Sequence, residues 1–294
     1  MPINNATMTT LFRTLPLIAA ATVLGTAHAA PLQHITDTTP GRSVRDGVLN
    51  PTEYGNLTFF SSGTGDSFGG GAGSIFGTDS KLYLDSDTSG GINLGFQLGG
   101  LNISGGNPHG IVIYIDSVVG GFSDTTLIDD NNDFGRAAIS GNGTDSGETE
   151  LFFADGFQAD YGIAVEENYA GLFQLATGGA DSLNHIKSLQ LTPFTGSQQK
   201  EGEFLLSDIG LNPGDSFNFV VSLSQVATGF RSNELHGHSG AVVGHIGAGP
   251  FTFDNFNTFS TVPEPEYLWP VSAALITFAS LRHRMKKAPQ PEEA

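Results

Sequence analysis

An all-β fold is predicted for this chain of 294 residues, and three observations predict it. Short apolar runs alternate with polar residues at period two. Forty glycines cluster with Asn, Asp and Ser between those runs. No stretch of about twelve residues shows amphipathic helical spacing. About ten short strands with turns between them read as a β-sandwich over residues 46–261.

Residues 1–29 have the form of a secretory signal peptide. Arg13 supplies the positive charge, Leu15 to Gly25 the apolar core, and Ala27-His28-Ala29 the small-x-small cleavage pattern. This implies passage through the Sec export machinery. Residues 30–45 read as a flexible lead-in. Asp46 to Gly55 carries the turn-formers Asp-Gly and Asn-Pro. Leu57 to Phe60 is strand-like, and Ser61 to Gly77 is a Gly/Ser loop. Lys81 to Asp85 and Ile92 to Leu98 alternate as half-buried strands do, and Gly110 to Asp116 is continuous enough for a central strand. Gly120 to Gly147 reads mostly as loop. Further strands are expected at Leu151 to Phe153, Tyr161 to Val165, Leu172 to Ala176, Ile186 to Phe194, Glu203 to Leu206 and Ser216 to Ser224. A closing strand is expected at Phe251 to Phe259. Ser232 to Gly249 is glycine-rich and reads as loop. Single helical turns fit Glu166 to Gly171 and Leu205 to Gly210.

The segment 262–287 is a membrane-directed tail. Tyr267 to Leu281 carries no charge, and as a helix would be roughly 22 Å long, a short transmembrane span against a hydrocarbon core of ~30 Å. Tyr267 and Trp269 suit the interface. Arg282, Arg284, Lys286 and Lys287 hold the far end in the cytoplasm, which places everything upstream outside. Residues 288–294 are polar and are expected to be disordered. Pro263-Glu264-Pro265, the apolar span and the basic end, in that order, resemble the PEP-CTERM sorting signal of Gram-negative bacteria. That resemblance implies recognition of Pro263, Glu264 and Pro265 by an exosortase, a transient inner-membrane stage and processing to the cell surface or extracellular matrix. It also implies association with exopolysaccharide and biofilm.

Asp46-Gly-x-Leu-x-x-x-Glu53-Tyr54 resembles the opening of family 9 carbohydrate-binding modules and DOMON-like domains. The resemblance implies a jelly-roll-like sandwich. Those modules typically grip sugars between tryptophans, whereas the sole Trp here is Trp269, in the tail.

Composition narrows the partners. The formal charge is −18, which argues against nucleic acid and anionic membrane surfaces and is compatible with cation binding. No cysteine occurs, so there is neither a disulfide framework nor thiol chemistry. Four constellations bear on chemistry. Gly65-Asp-Ser67-Phe-Gly69 matches the nucleophile elbow in letters, but the glycines after it cannot start the helix that an elbow needs. Asp129-x-Asn131-x-Asp133 offers clustered oxygens of the kind Ca2+ takes, although Phe134 and Ser140 depart from the calcium-loop pattern. The other reading is a solvated Asx-rich turn. Glu234-x-His236-x-His238 would share a face if extended, and imidazoles with a carboxylate can hold a transition metal. Glu166 and Glu167, as neighbours on a strand, point to opposite faces and cannot flank one glycosidic bond.

These readings lead to an exported, non-enzymatic surface or matrix protein. A carbohydrate- or calcium-binding module associated with exopolysaccharide is the alternative, and a secreted glycoside hydrolase has the least support.

Overall fold

The computed structural model describes residues 31–54, 58–60, 81–98, 109–143, 148–167, 169–176, 179, 181–192, 199–226, 228–240, 242, 246–247 and 249–262. The signal peptide with Ala27 and Ala29, Ser67, the sorting motif Pro263-Glu264-Pro265, the apolar span and the basic cluster lie outside them. Among the described residues no helix is long and apolar enough to cross a membrane.

The protein is mostly β-sheet. In chain order the strands are β1 (Gln33–Asp37), β2 (Thr58–Phe60), β3 (Lys81–Ser86), β4 (Gly91–Gln97) and β5 (His109–Asp116). Helix α1 (Phe134–Ser140) follows, then β6 (Leu151–Phe152), β7 (Tyr161–Val165), β8 (Ala170–Leu175), β9 (Leu183–Ser188) and β10 (Gln199–Leu205). A 3-10 turn (Leu206–Ile209) leads to β11 (Ser216–Gln225), β12 (Phe230–His236), β13 (Phe251–Thr252) and β14 (Asn257–Thr261).

The larger sheet runs β1-β14-β11-β5-β7-β8-β9. Strand β11 is long enough to take two partners on one side: its first residues pair with β14 and its last with β12. The smaller sheet runs β10-β4-β3-β2. The two sheets enclose a shared apolar core. Leu82, Leu94 and Phe96 come from the smaller sheet, and Ile111, Ile113, Ile163, Phe217, Phe219 and Leu223 from the larger. Burial of these alternating side chains is the main driving force for bringing the sheets together.

A second core lies on the outer face of the larger sheet. Val112, Tyr114, Ala164 and Val220 meet Ala137, Ala138 and Ile139 of α1 and the rings of Phe153, Phe157, Phe253 and Phe256. The central strands are therefore buried on both faces, which is why Gly110 to Asp116 reads as an uninterrupted apolar run.

Several expectations need correction. Gln33–Asp37 is a strand parallel to β14, not flexible lead-in. Its Asp37 is fully buried and ties β1 to β3 through Ser86 N–H (2.9 Å) and Oγ (2.7 Å). Phe134–Ser140 is helical within the presumed loop. Asp133 caps its start by accepting from Arg136 N–H at 2.9 Å, and Gly141 ends it in the left-handed region at φ 75°. Phe230–His236 is a strand, because tertiary pairing with β11 outweighs the glycines beyond it. The closing segment is two strands, not one. Strands β3 and β4 are buried on both faces, not half-buried. Strand β9 starts at Leu183 and ends at Ser188, and β8 begins at Ala170 where a helical turn was expected. The 3-10 turn at Leu206–Ile209 matches the expected helical turn there.

Candidate functional site

The outer core does not cover the whole outer face of the larger sheet. At one end the face becomes polar, and strand register explains why. Asn218 alternates with Phe217 and Phe219, which face the inner core, so it points outward. Asn218 is paired with Asp116 on β5 and with Thr258 on β14, and Thr258 with His34 on β1. Four polar side chains thus form one row across four strands. The Asn218 amide donates to Asp116 at 3.2 Å, and Thr258 Oγ1 donates to Asn218 Oδ1 at 2.7 Å. A second row, Ser216, Ser260 and Thr36, runs alongside, and His34 Nε2 lies 2.8 Å from Ser260 Oγ.

This polar shelf adjoins a cavity of about 670 Å³ that opens to solvent. Asp116 belongs to both. The other walls include Val119, Ser123, Phe153, Asp155 and Gln158. The chain after β5 is fixed in place there. Asp160 accepts from the N–H groups of Ser117 (2.9 Å) and Val118 (3.0 Å). Phe122 and Ala159 exchange backbone hydrogen bonds of 2.9 and 2.8 Å. Gly121 has φ 93°, and a Cβ on it would lie 2.7 Å from the Gln158 carbonyl, so only glycine fits this approach. The turn Asp155-Gly156, with Gly156 at φ 91°, also lines the cavity. Phe153 and Phe157, which also line the cavity, are almost fully buried; Phe153 contacts Tyr114 (5.2 Å between centroids), Phe157 (5.1 Å) and Phe253 (6.2 Å), so these rings anchor the cavity lining to the outer core.

Burial pushes the Asp116 carboxyl up from its ordinary value, the Asn218 and Gln158 donors pull it down, and the charge of Asp160 pushes it up further. Burial likewise raises Asp160, against the pull of the Val118 and Ser117 N–H groups. Among the described residues no Lys or Arg lines the cavity. The site presents acceptors and a hydroxyl in front of the outer core, a combination that suits a hydroxyl-rich ligand.

The candidate calcium residues have protein partners. Asp133 caps α1 and pairs with Arg136, and Asp129 accepts from Asn142 Nδ2. Between them Asp130, which is buried, pairs with Arg136 Nε at 3.3 Å, the same guanidinium that holds Asp133, while Asn131 is exposed. Of the candidate transition-metal residues, Glu234 and His236 are both buried on β12, and burial drives His236 down to about 3. His238 lies beyond the strand end, after Gly237 at φ 88°. It pairs with Asp254 at 2.9 Å and packs on Phe251. The structure keeps two of the three together and sends the third elsewhere. Glu166 sits at the β7–β8 turn, and its carbonyl accepts from Lys200 Nζ at 2.8 Å; Glu167 O accepts from the same group.

The Asp46–Tyr54 segment packs on the outside of the smaller sheet. Tyr54 is fully buried, stacks near Tyr83 (5.5 Å) and donates to Glu201 at 2.9 Å; Gly47 N–H donates to the other Glu201 oxygen at 2.6 Å. Burial and the Glu201 charge push the Tyr54 hydroxyl far above its ordinary value. The motif's conspicuous residues thus serve packing.

Comparison with known proteins adds little. No family model matches the chain, and no curated protein matches it. Among solved structures, a family 9 carbohydrate-binding module from Caldicellulosiruptor kristjanssonii in complex with cellotriose aligns with 79% of this chain and 94% of its own, at 9% identity and a TM-score of 0.34. A likeness that slight carries no argument about fold or ligand.

Proposed function

We propose that this is an exported, non-enzymatic protein of the cell surface or extracellular matrix whose β-sandwich, of jelly-roll-like order, binds a saccharide in the cavity beside Asp116. The observation that supports the reading is the join between cavity and shelf. A solvent-open cavity and a row of hydrogen-bonding side chains across four strands meet at one carboxylate. Such surfaces bind hydroxyls with little reorganisation, because the partners are already held.

Export rests on the two chain ends. The signal-peptide pattern brings the protein to the Sec machinery. The tail holds it at the inner membrane until an exosortase cuts near Pro263-Glu264-Pro265, after which the protein joins the exopolysaccharide. Strand β14 ends at Thr261, so the proposed cut falls almost flush with the folded sheet.

Pull-down of the exported protein on polysaccharide, with and without calcium, tests the reading. Retention that does not need calcium supports it; no retention on any polysaccharide would count against it. Retention only with calcium would favour the ion-binding alternative through Asp129, Asn131 and Asp133.

A further inference from the structure

Two strands of the larger sheet end on the same side, where the chain leaves the fold. Strands β5 and β14 both pair antiparallel with β11, so they run in one direction. Asn218 lies opposite Asp116 on one and Thr258 on the other, which puts those two residues two strand spacings apart, about 10 Å. Val118 and Ser260 each follow two residues later. Strand β14 ends at Thr261, whose Oγ1 donates to the Asp215 carbonyl at 3.0 Å and accepts from Gly214 N–H at 2.8 Å. From this fixed point to Tyr267, where the uncharged run begins, the chain can span at most about 22 Å. On the reading that this run holds the protein at the membrane, the tether draws this end of the sandwich towards the bilayer.

The same end carries apolar side chains that the fold holds outward. Val119 is fully exposed and Val118 is 40% exposed. The loop that bears them is braced. Asp160 accepts from the Ser117 and Val118 N–H groups, and Ser117 Oγ donates to the Ile209 carbonyl at 2.7 Å. Gly120 and Gly121 then turn the chain in the left-handed region, at φ 117° and 93°. A Cβ on Gly120 would meet nothing within 4 Å, so the tip stands clear of the body. Asp87, Asp155 and Asp215 lie on the turns at this end, while Arg42 and Lys187, on adjoining elements, are engaged by Asp37, Asp85 and Asp208.

We propose that, while the tail holds the protein at the membrane, the Val118-Val119 tip docks into a zwitterionic lipid surface. Docking sets the sandwich on its β14 end and keeps Pro263-Glu264-Pro265 at the level of the headgroups. Two valines are too few to bring a free protein to a bilayer. The short tether supplies the effective concentration that lets so small an apolar area suffice, and the braced loop has little freedom left to lose. The acids at this end weigh against an anionic surface.

The chain has no cysteine, so a single introduced one takes a fluorophore cleanly. Ser216→Cys, at an exposed position paired with Ser260, reads the docking end. Val48→Cys reads the far end: its neighbour Leu49 is bonded to Gln199, six residues, or about 20 Å, from the Leu205 end of β10. The exported protein is made in a host without an exosortase, so that the tail stays on, and is reconstituted in phosphatidylcholine vesicles. Flotation reads the anchor. Iodide is expected to quench the S216C label severalfold less than the V48C label, and headgroup-level nitroxide lipids to quench the S216C label alone. Val119→Ser, at a fully exposed position that the core does not use, should restore iodide quenching at S216C and leave flotation unchanged. Exchanging part of the lipid for phosphatidylglycerol should weaken the nitroxide quenching. Equal iodide quenching at both labels in protein that floats would overturn the docking and leave the membrane tail standing. Shielding without nitroxide quenching would overturn it in favour of contact with a second copy, and nitroxide quenching that survives Val119→Ser would overturn the role of the valines. Protein that does not float would remove the tail reading and the docking together.

Discussion

Asn218 donates its side-chain amide to Asp116 at 3.2 Å across the paired strands β11 and β5, and receives Thr258 Oγ1 at 2.7 Å from the other side. One side chain therefore orients a carboxylate at a cavity wall and links it to the shelf beyond. Replacing it with Leu should release Asp116 and raise its carboxyl further. Stability should fall by roughly 1.5–3 kcal/mol, typical of a lost hydrogen bond to a charged group. Saccharide affinity should fall severalfold. Urea unfolding and a carboxyl-detected NMR titration read both effects; an Asp116 titration that does not move would show that Asn218 does not orient it.

The Arg42 guanidinium bridges two fully buried carboxylates, Asp37 at 3.1 Å and Asp85 at 3.3 Å, which join β1 to β3. Arg42→Met leaves both without their cation. A loss of roughly 3 kcal/mol at neutral pH is expected, since an uncompensated buried charge is costly. Burial already raises Asp85 above its ordinary value, and the charge of Asp37 adds to that. A raised folded-state carboxyl binds its proton more tightly than the unfolded chain does, so stability is recovered as pH falls through the raised value. The variant should therefore regain part of the loss as pH is lowered from neutral towards the ordinary carboxyl range, as read by thermal melts. A deficit that stays constant over that range would contradict this.

Lys200 is buried, and burial lowers its ammonium to about 8 while its Nζ holds the carbonyls of Glu166 and Glu167. Below that value both folded and unfolded chains are protonated, and the folded state bears the burial cost. Between about pH 8 and about pH 10.5 the unfolded chain binds more protons, so stability rises with pH. Relative to Lys200→Met, the natural protein should gain on the order of 2 kcal/mol over this window. Denaturant titrations at the two ends check it; a difference that stays flat would mean that the ammonium is well solvated.

Much of the scaffold is legible in the residues. Alternation at Lys81, Ile92 and Ser216 marks strands, and the run Gly110 to Asp116 marks the centre. Helix α1 leaves a weaker trace in Asp133 and Gly141, eight residues apart, which are its caps. It is obscured by a context of Asp, Asn and Gly that also suits a turn. Strand β12 leaves almost none, since its Ser232, Asn233, Glu234 and His236 are polar and become buried only through pairing with β11. The candidate site was the least legible part. Alternation alone turns Asn218 away from the inner core. That it meets Asp116, Thr258 and His34 depends on the register of strands more than 100 residues apart in part, which no local pattern encodes.

The most direct measurement is a crystal structure of the exported protein with a bound oligosaccharide. The account predicts sugar density in the cavity, within hydrogen-bonding reach of Asp116, continuing onto the shelf at Asn218 and Thr258. Density elsewhere on the molecule, with this cavity holding only solvent, would contradict it.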